Sequence, residues 1–174
     1  GQLDDAGEAG GVLKMIGDTA DGNGIQMQKS ESVYLQSGNK FAVESRVALG
    51  DADLSNFVFG LATTDSTLVA SLPDDCIVFT VAGGNASIKY KVDKNGSASA
   101  VDSGVDFADD VYRKLGFNYN GDDTIEIFID GSSVGTVTTN LPDDEVLALS
   151  LGFNTGADAE KYAKIDWVKV VAEL

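Results

Sequence analysis

Apolar and polar positions alternate with a period of two through much of this chain, most clearly between Arg113 and Thr139. Ile125, Ile127 and Ile129 alternate with Thr124, Glu126 and Phe128, the pattern of a strand with one face in a core. Asp130-Gly131 follows at once, and a type I′ hairpin turn favours that dipeptide because both of its central residues need φ > 0. Phe41, Val43 and Val47 share a second such face, opposite Ala42, Glu44 and Arg46; Leu115, Phe117 and Tyr119 share a third, opposite Lys114, Gly116 and Asn118.

The same reading predicts strands over 12–16, 25–28, 33–36, 41–48, 57–63, 76–81, 87–92, 98–101, 112–119, 124–129, 134–139, 148–153 and 162–172. Lys94-Asn95-Gly96 and Asn120-Gly121-Asp122 are further hairpin signals, since Asn and Gly tolerate the left-handed backbone. The runs FVFGLA, CIVFTVA and LALSLGF are apolar on both faces, as expected of strands covered on both sides. Pro73 and Pro142 each precede an acidic pair; both read as loops leading into strands, with a short helical turn expected over 142–146. About a dozen short strands with regular turn signals predict an all-β antiparallel sandwich. The chain has 174 residues, the size of one well-cored domain spanning 1–174. Residues 1–11, small, acidic and Gly-rich, read as a flexible arm.

Composition narrows the chemistry. The net charge is −16 and histidine is absent. Such a surface repels phosphate backbones and anionic lipid, which argues against nucleic acid and membranes as partners. No apolar run reaches the length of a membrane span, and no signal peptide is recognisable. The numbering begins at Gly1, so an initiator Met or a longer leader is read as removed or left out of it. The single cysteine, Cys76, excludes an intramolecular disulfide and reads as a small buried apolar residue. Without histidine, Ser/His/Asp and Cys/His catalysis are excluded and zinc is disfavoured. Calcium takes oxygen ligands; Asp18, Asp21 and Asn23 in one loop and Asp51 and Asp53 in another are the candidate ligands. Tyr112, Tyr119, Tyr162 and Trp167 are the candidate carbohydrate-contacting aromatics, although Tyr119 and Trp167 lie on alternating strands where core packing is the commoner fate.

The block KLGFNYNGDDTIEIFIDGSSVGTVTTNLPDDE, with the closing IDWVKVVAEL, resembles the concanavalin A-like lectin/glucanase superfamily. Laminin-G-like modules show a comparable strand, DG turn, strand and "VG". Laminarinase-type glycosidases end in a strand comparable to Asp166-Trp167-Val168-Lys169-Val170. The resemblance covers the C-terminal third and implies a jelly roll of two stacked sheets. The laminarinase-type enzymes carry their carboxylates on one strand as Glu-x-Asp-x-x-Glu, a pattern this sequence lacks. Glu126 and Asp130 come nearest, and Asp130 is better explained by its turn. On that ground the chain is expected to be non-enzymatic.

Within the superfamily the small residues, acidity and absence of histidine resemble virion proteins of tailed bacteriophages. That resemblance implies a particle-surface protein docked on the major capsid protein or another virion protein, as a homo-oligomer, with Gly1, Gln2 and Leu3 as a docking arm. An ordinary frayed terminus explains the arm equally well. The alternative function is a carbohydrate-binding, lectin-like module.

Overall fold

Asp130 and Gly131 have φ of 52° and 82°, the left-handed pair of a type I′ turn, and they join two strands in register from Ile129↔Ser132. The structure is a computed structural model describing residues 2–4, 11–17, 22, 24–157 and 159–173. Its strands are β1 (Gln2–Asp4), β2 (Val12–Ile16), β3 (Gly24–Gln28), β4 (Val33–Tyr34), β5 (Phe41–Leu49), β6 (Ser55–Ala62) and β7 (Cys76–Ala82). They continue as β8 (Asn85–Asp93), β9 (Val101–Asp106), β10 (Arg113–Tyr119), β11 (Ile125–Ile129), β12 (Ser132–Val137), β13 (Val146–Thr155) and β14 (Tyr162–Ala172). No helix occurs among the described residues.

Two antiparallel sheets stack face to face. The first has the order β1-β2-β14-β5-β10-β11-β12; the second has β3-β13-β6-β7-β8-β9, with β4 also pairing with β13. This is the expected jelly-roll β-sandwich. Residues of one parity fill the space between the sheets: Val43 and Val47 from β5, Phe117 from β10, Ile125 and Ile127 from β11, Phe59 from β6 and Phe79 from β7 are all buried. Phe59 and Phe79 stack across their ladder, and Phe79 meets Phe117 of the other sheet with ring centroids 6.4 Å apart. Such contacts add to the area burial that dominates folding.

A loop over residues 63–75 crosses the outer face of the second sheet as a strap. Leu68, Val69 and Leu72 press on Val58, Ala62, Cys76 and Val78, forming a second, smaller apolar cluster. This explains why β6, β7 and β13 are apolar on both faces. Side chains of β3 and its neighbouring loop hold the strap: Gln26 Nε2 donates to the Asp65 carbonyl at 2.6 Å, Gln28 Oε1 accepts from Asp65 N–H at 2.9 Å, and Glu31 Oε1 accepts from Thr64 N–H at 2.9 Å.

Four sequence expectations are corrected. The strand expected over 98–101 begins only at Val101. The buried Asp93 carboxylate accepts the Ala98 N–H at 2.7 Å and so draws that segment off the ladder. No helical turn forms over 142–146; Val146 already opens β13 against Tyr34. Within the arm, Gln2–Asp4 is a strand paired with β2, from Gln2↔Lys14 to Asp4↔Val12, because an edge strand offers unpaired backbone groups. Gly1 and residues 5–10 lie outside the described residues. Trp167, finally, does not enter the core. Ile165 pairs with Val47 but Trp167 pairs with Arg46, so Asp166 is an extra, bulged residue. Trp167 therefore faces outward and Val168 takes the inward place against the core.

Candidate functional site

Strand β14 presents Tyr162, Lys164, Trp167 and Lys169 in sequence on the outer face of the first sheet, because alternation before the bulge and after it puts these residues on the same side. Neighbouring strands extend the surface sideways. Trp167, Arg46 and Lys114 lie abreast on β14, β5 and β10, and Lys169, Glu44, Gly116 and Phe128 form the next row. Lys14 on β2 stands opposite Lys164.

The aromatic rings here carry cations. Lys14 and Lys164 place Nζ 4.5 Å and 5.2 Å from the centre of the Tyr162 ring. The Arg46 guanidinium lies 3.9 Å from the Tyr112 ring centre, and Lys169 Nζ lies 4.1 Å from that of Trp167. Such contacts follow from the negative ring face. Carboxylates fix the geometry. Arg46 Nη1 donates to Asp166 Oδ2 at 2.5 Å, and the Tyr162 hydroxyl donates to Asp110 at 2.9 Å and 3.0 Å. Lys164 reaches the same carboxylate at 3.3 Å. Burial, followed by the hydrogen bond to Asp110, raises the Tyr162 phenol above its ordinary value, so near neutral pH it acts as a proton-bearing donor.

Of the four aromatics singled out from the sequence, the fold brings together Tyr112, Tyr162 and Trp167, each half-buried. Tyr119 is separate: it is 3% exposed, tilts against Phe41 in the core, and its hydroxyl donates to the Asp122 carbonyl at 2.7 Å. The sequence reading missed Arg46, Lys14, Lys164 and Lys169. The alternation of β5 already put Arg46 on a wet face, but cross-strand register was needed to set it beside Trp167.

The other candidates do not converge. Asp18, Asp21 and Asn23 lie outside the described residues. Asp51 is engaged by Lys161 Nζ at 2.6 Å and accepts the Leu54 N–H at 3.1 Å, while Asp53 is exposed. Among the described residues no group of three or more His, Cys, Asp or Glu is placed to hold a metal ion. Asp130 belongs to its turn, receiving Arg113 Nη1 and the Lys114 N–H at 2.8 Å each. Cys76 is buried, which pushes its thiol up to about 12. No helix among the described residues is long and apolar enough to cross a membrane. A cleft of about 420 Å³ does open beside the strap, lined by Gln26, Ser66, Thr67, Val69, Asn154 and others. Its one aromatic, Phe153, is fully buried, so the cleft offers no ring to a ligand.

No known family's sequence profile matches the chain, and no curated protein matches it. Solved structures do. An endo-1,3-β-glucanase from Streptomyces sioyaensis superposes with a TM-score of 0.70 at 10% identity, over 94% of this chain and 76% of that one. A Bacteroides ovatus mixed-linkage glucan GH16 protein, solved with a G4G4G3G product, gives 0.65 at 11%, over 97% and 84%. The Bacillus licheniformis β-glucanase gives 0.60 at 16%, over 91% and 76%. These neighbours correct the expectation of a non-enzymatic protein: that expectation rested on the missing carboxylate motif and the absence of histidine, and the fold is shared with endo-acting glucanases. At such identities the likeness shows architecture, and the architecture is the concanavalin A-like jelly roll.

Proposed function

We propose that this chain is a carbohydrate-binding β-sandwich whose glycan-contacting surface is the outer face of the first sheet around β14. The observation that carries the reading is the convergence of Tyr112, Tyr162 and Trp167 on one sheet face, interleaved with hydrogen-bonding side chains. Glycan recognition combines apolar ring surface with a few placed polar groups, and this face supplies both. The glucanase neighbours support the same class of ligand. Docking on a virion lattice rests on sequence texture, and neither the fold nor the comparisons add to it.

The test is calorimetric titration of the purified chain with soluble polysaccharides of several classes, with reducing-end release measured on the same samples. Saturable binding that Trp167→Ala weakens, at an unchanged melting temperature, supports the proposal. Absence of binding to every class overturns it. Release of reducing ends would add catalysis to binding.

A further inference from the structure

We infer that the glycan taken by this face is acidic, a uronate- or sulfate-bearing polysaccharide read by the cations that lie over the rings. This rests on the carbohydrate-binding proposal and narrows its ligand class. A neutral sugar stacks its C–H face on an open aromatic face. Here Tyr162 is flanked by Lys14 and Lys164, Tyr112 is met by Arg46, and Trp167 by Lys169. A neutral sugar must compete with those cations for the rings. A carboxylate or sulfate instead accepts hydrogen bonds from cations that the rings already orient.

The distribution of charge favours the same occupant. The chain carries 12 Lys and Arg against 28 Asp and Glu. Five of those cations, Lys14, Arg46, Lys114, Lys164 and Lys169, belong to this one sheet face. Among the described residues the acids beside them are Glu44, Glu126, Asp110, Asp130 and Asp166. Asp110 holds Lys164 and Asp166 holds Arg46, so both also serve to orient cations. Among the described residues cations and acids on this face are equal in number, whereas the whole chain carries 12 against 28. A polyanion meets least repulsion here, and the surrounding acid holds it in one orientation.

Titrations with polygalacturonate, dextran sulfate, laminarin and duplex DNA, at 50 and 500 mM NaCl, test the inference. The expected result is binding of polygalacturonate or dextran sulfate that falls about tenfold at the higher salt as screening shortens. Lys169→Gln should weaken it several-fold at an unchanged melting temperature. Laminarin binding as tightly as either acidic glycan, insensitive to salt, would overturn the acidic assignment and leave carbohydrate binding standing. DNA binding on a par with the acidic glycans would replace the assignment with a general polyanion surface. Binding of none of the probes would defeat the inference together with the proposal beneath it.

Discussion

The ring of Tyr162 lies against Gly50 so closely that a β-carbon on residue 50 would sit 2.5 Å from its Cζ. The bare backbone of Gly50 leaves room for the ring where its phenol reaches Asp110 and its π system meets Lys14 and Lys164. Gly50→Ala should swing the ring aside rather than unfold the chain, because the colliding atoms are the far end of a side chain on the outer face of the sheet and not backbone. The expected cost is about 1 kcal/mol in stability, with a clear loss of glycan affinity. Thermal melts and titration of the same variant check it; unchanged affinity would place Tyr162 outside the binding face.

The β11–β12 hairpin should respond to its turn and to its core differently. Ile127 is 1% exposed, so Ile127→Ala should destabilise by roughly 2–5 kcal/mol. Gly131 has φ of 82°, a region that β-branched residues avoid, so Gly131→Val should cost more than Ser132→Val next to it. Denaturant melts of the three variants decide this, and equal effects of the two valines would mean the turn tolerates other geometry.

The strap should control access to Cys76. With the thiol pushed up to about 12 by burial, the native protein should alkylate slowly at pH 8, through opening of the strap. A β-carbon on Gly152 would lie 2.4 Å from Val69 Cγ2. Gly152→Ala should therefore lift the strap and accelerate alkylation while the main core stays intact. Timed mass spectrometry of the labelled protein measures the rate, and identical rates in the two proteins would mean the strap repacks around the added methyl.

Acid should loosen the loops before the core. Glu31 is held below its ordinary value by the Thr64 N–H it accepts, and Asp51 by its hydrogen bond from Lys161. A carboxyl whose folded value is depressed contributes stability that is complete above its unfolded value and is lost as pH falls through the folded one. Unfolded values are about 3.9 for Asp and 4.3 for Glu, so these contributions should hold at pH 5 and fade below about pH 4. Melting temperatures from pH 6 to pH 2 should show that acid limb, and Lys161→Met should make it shallower. An equally steep limb in the variant would remove Asp51 from the account.

Much of the architecture is legible in the sequence because parity carries it. Ile125, Ile127 and Ile129 point inward in the structure as their alternation says, and β14 has the bounds read from its pattern. Parity fails where one local bond competes with the ladder. Asp93 takes the Ala98 N–H and delays β9, a side-chain-to-backbone contact between residues five apart that no periodicity shows. The candidate surface was half legible. Tyr112, Tyr162 and Trp167 stood out by residue type, but their grouping depends on cross-strand register and on one bulge. The cations over the rings come from β2, β5 and β14, strands that only the folded sheet makes neighbours.

The bulge at Asp166 has a consequence for how this chain tolerates change. Losing a residue from inside a strand ordinarily turns every later side chain to the opposite side. At position 166 the reverse holds: Ile165 and Trp167 already sit on consecutive rungs against Val47 and Arg46. Shortening the strand there would restore an unbroken ladder, keep Trp167 and Lys169 facing solvent, and strip Arg46 of its carboxylate alone.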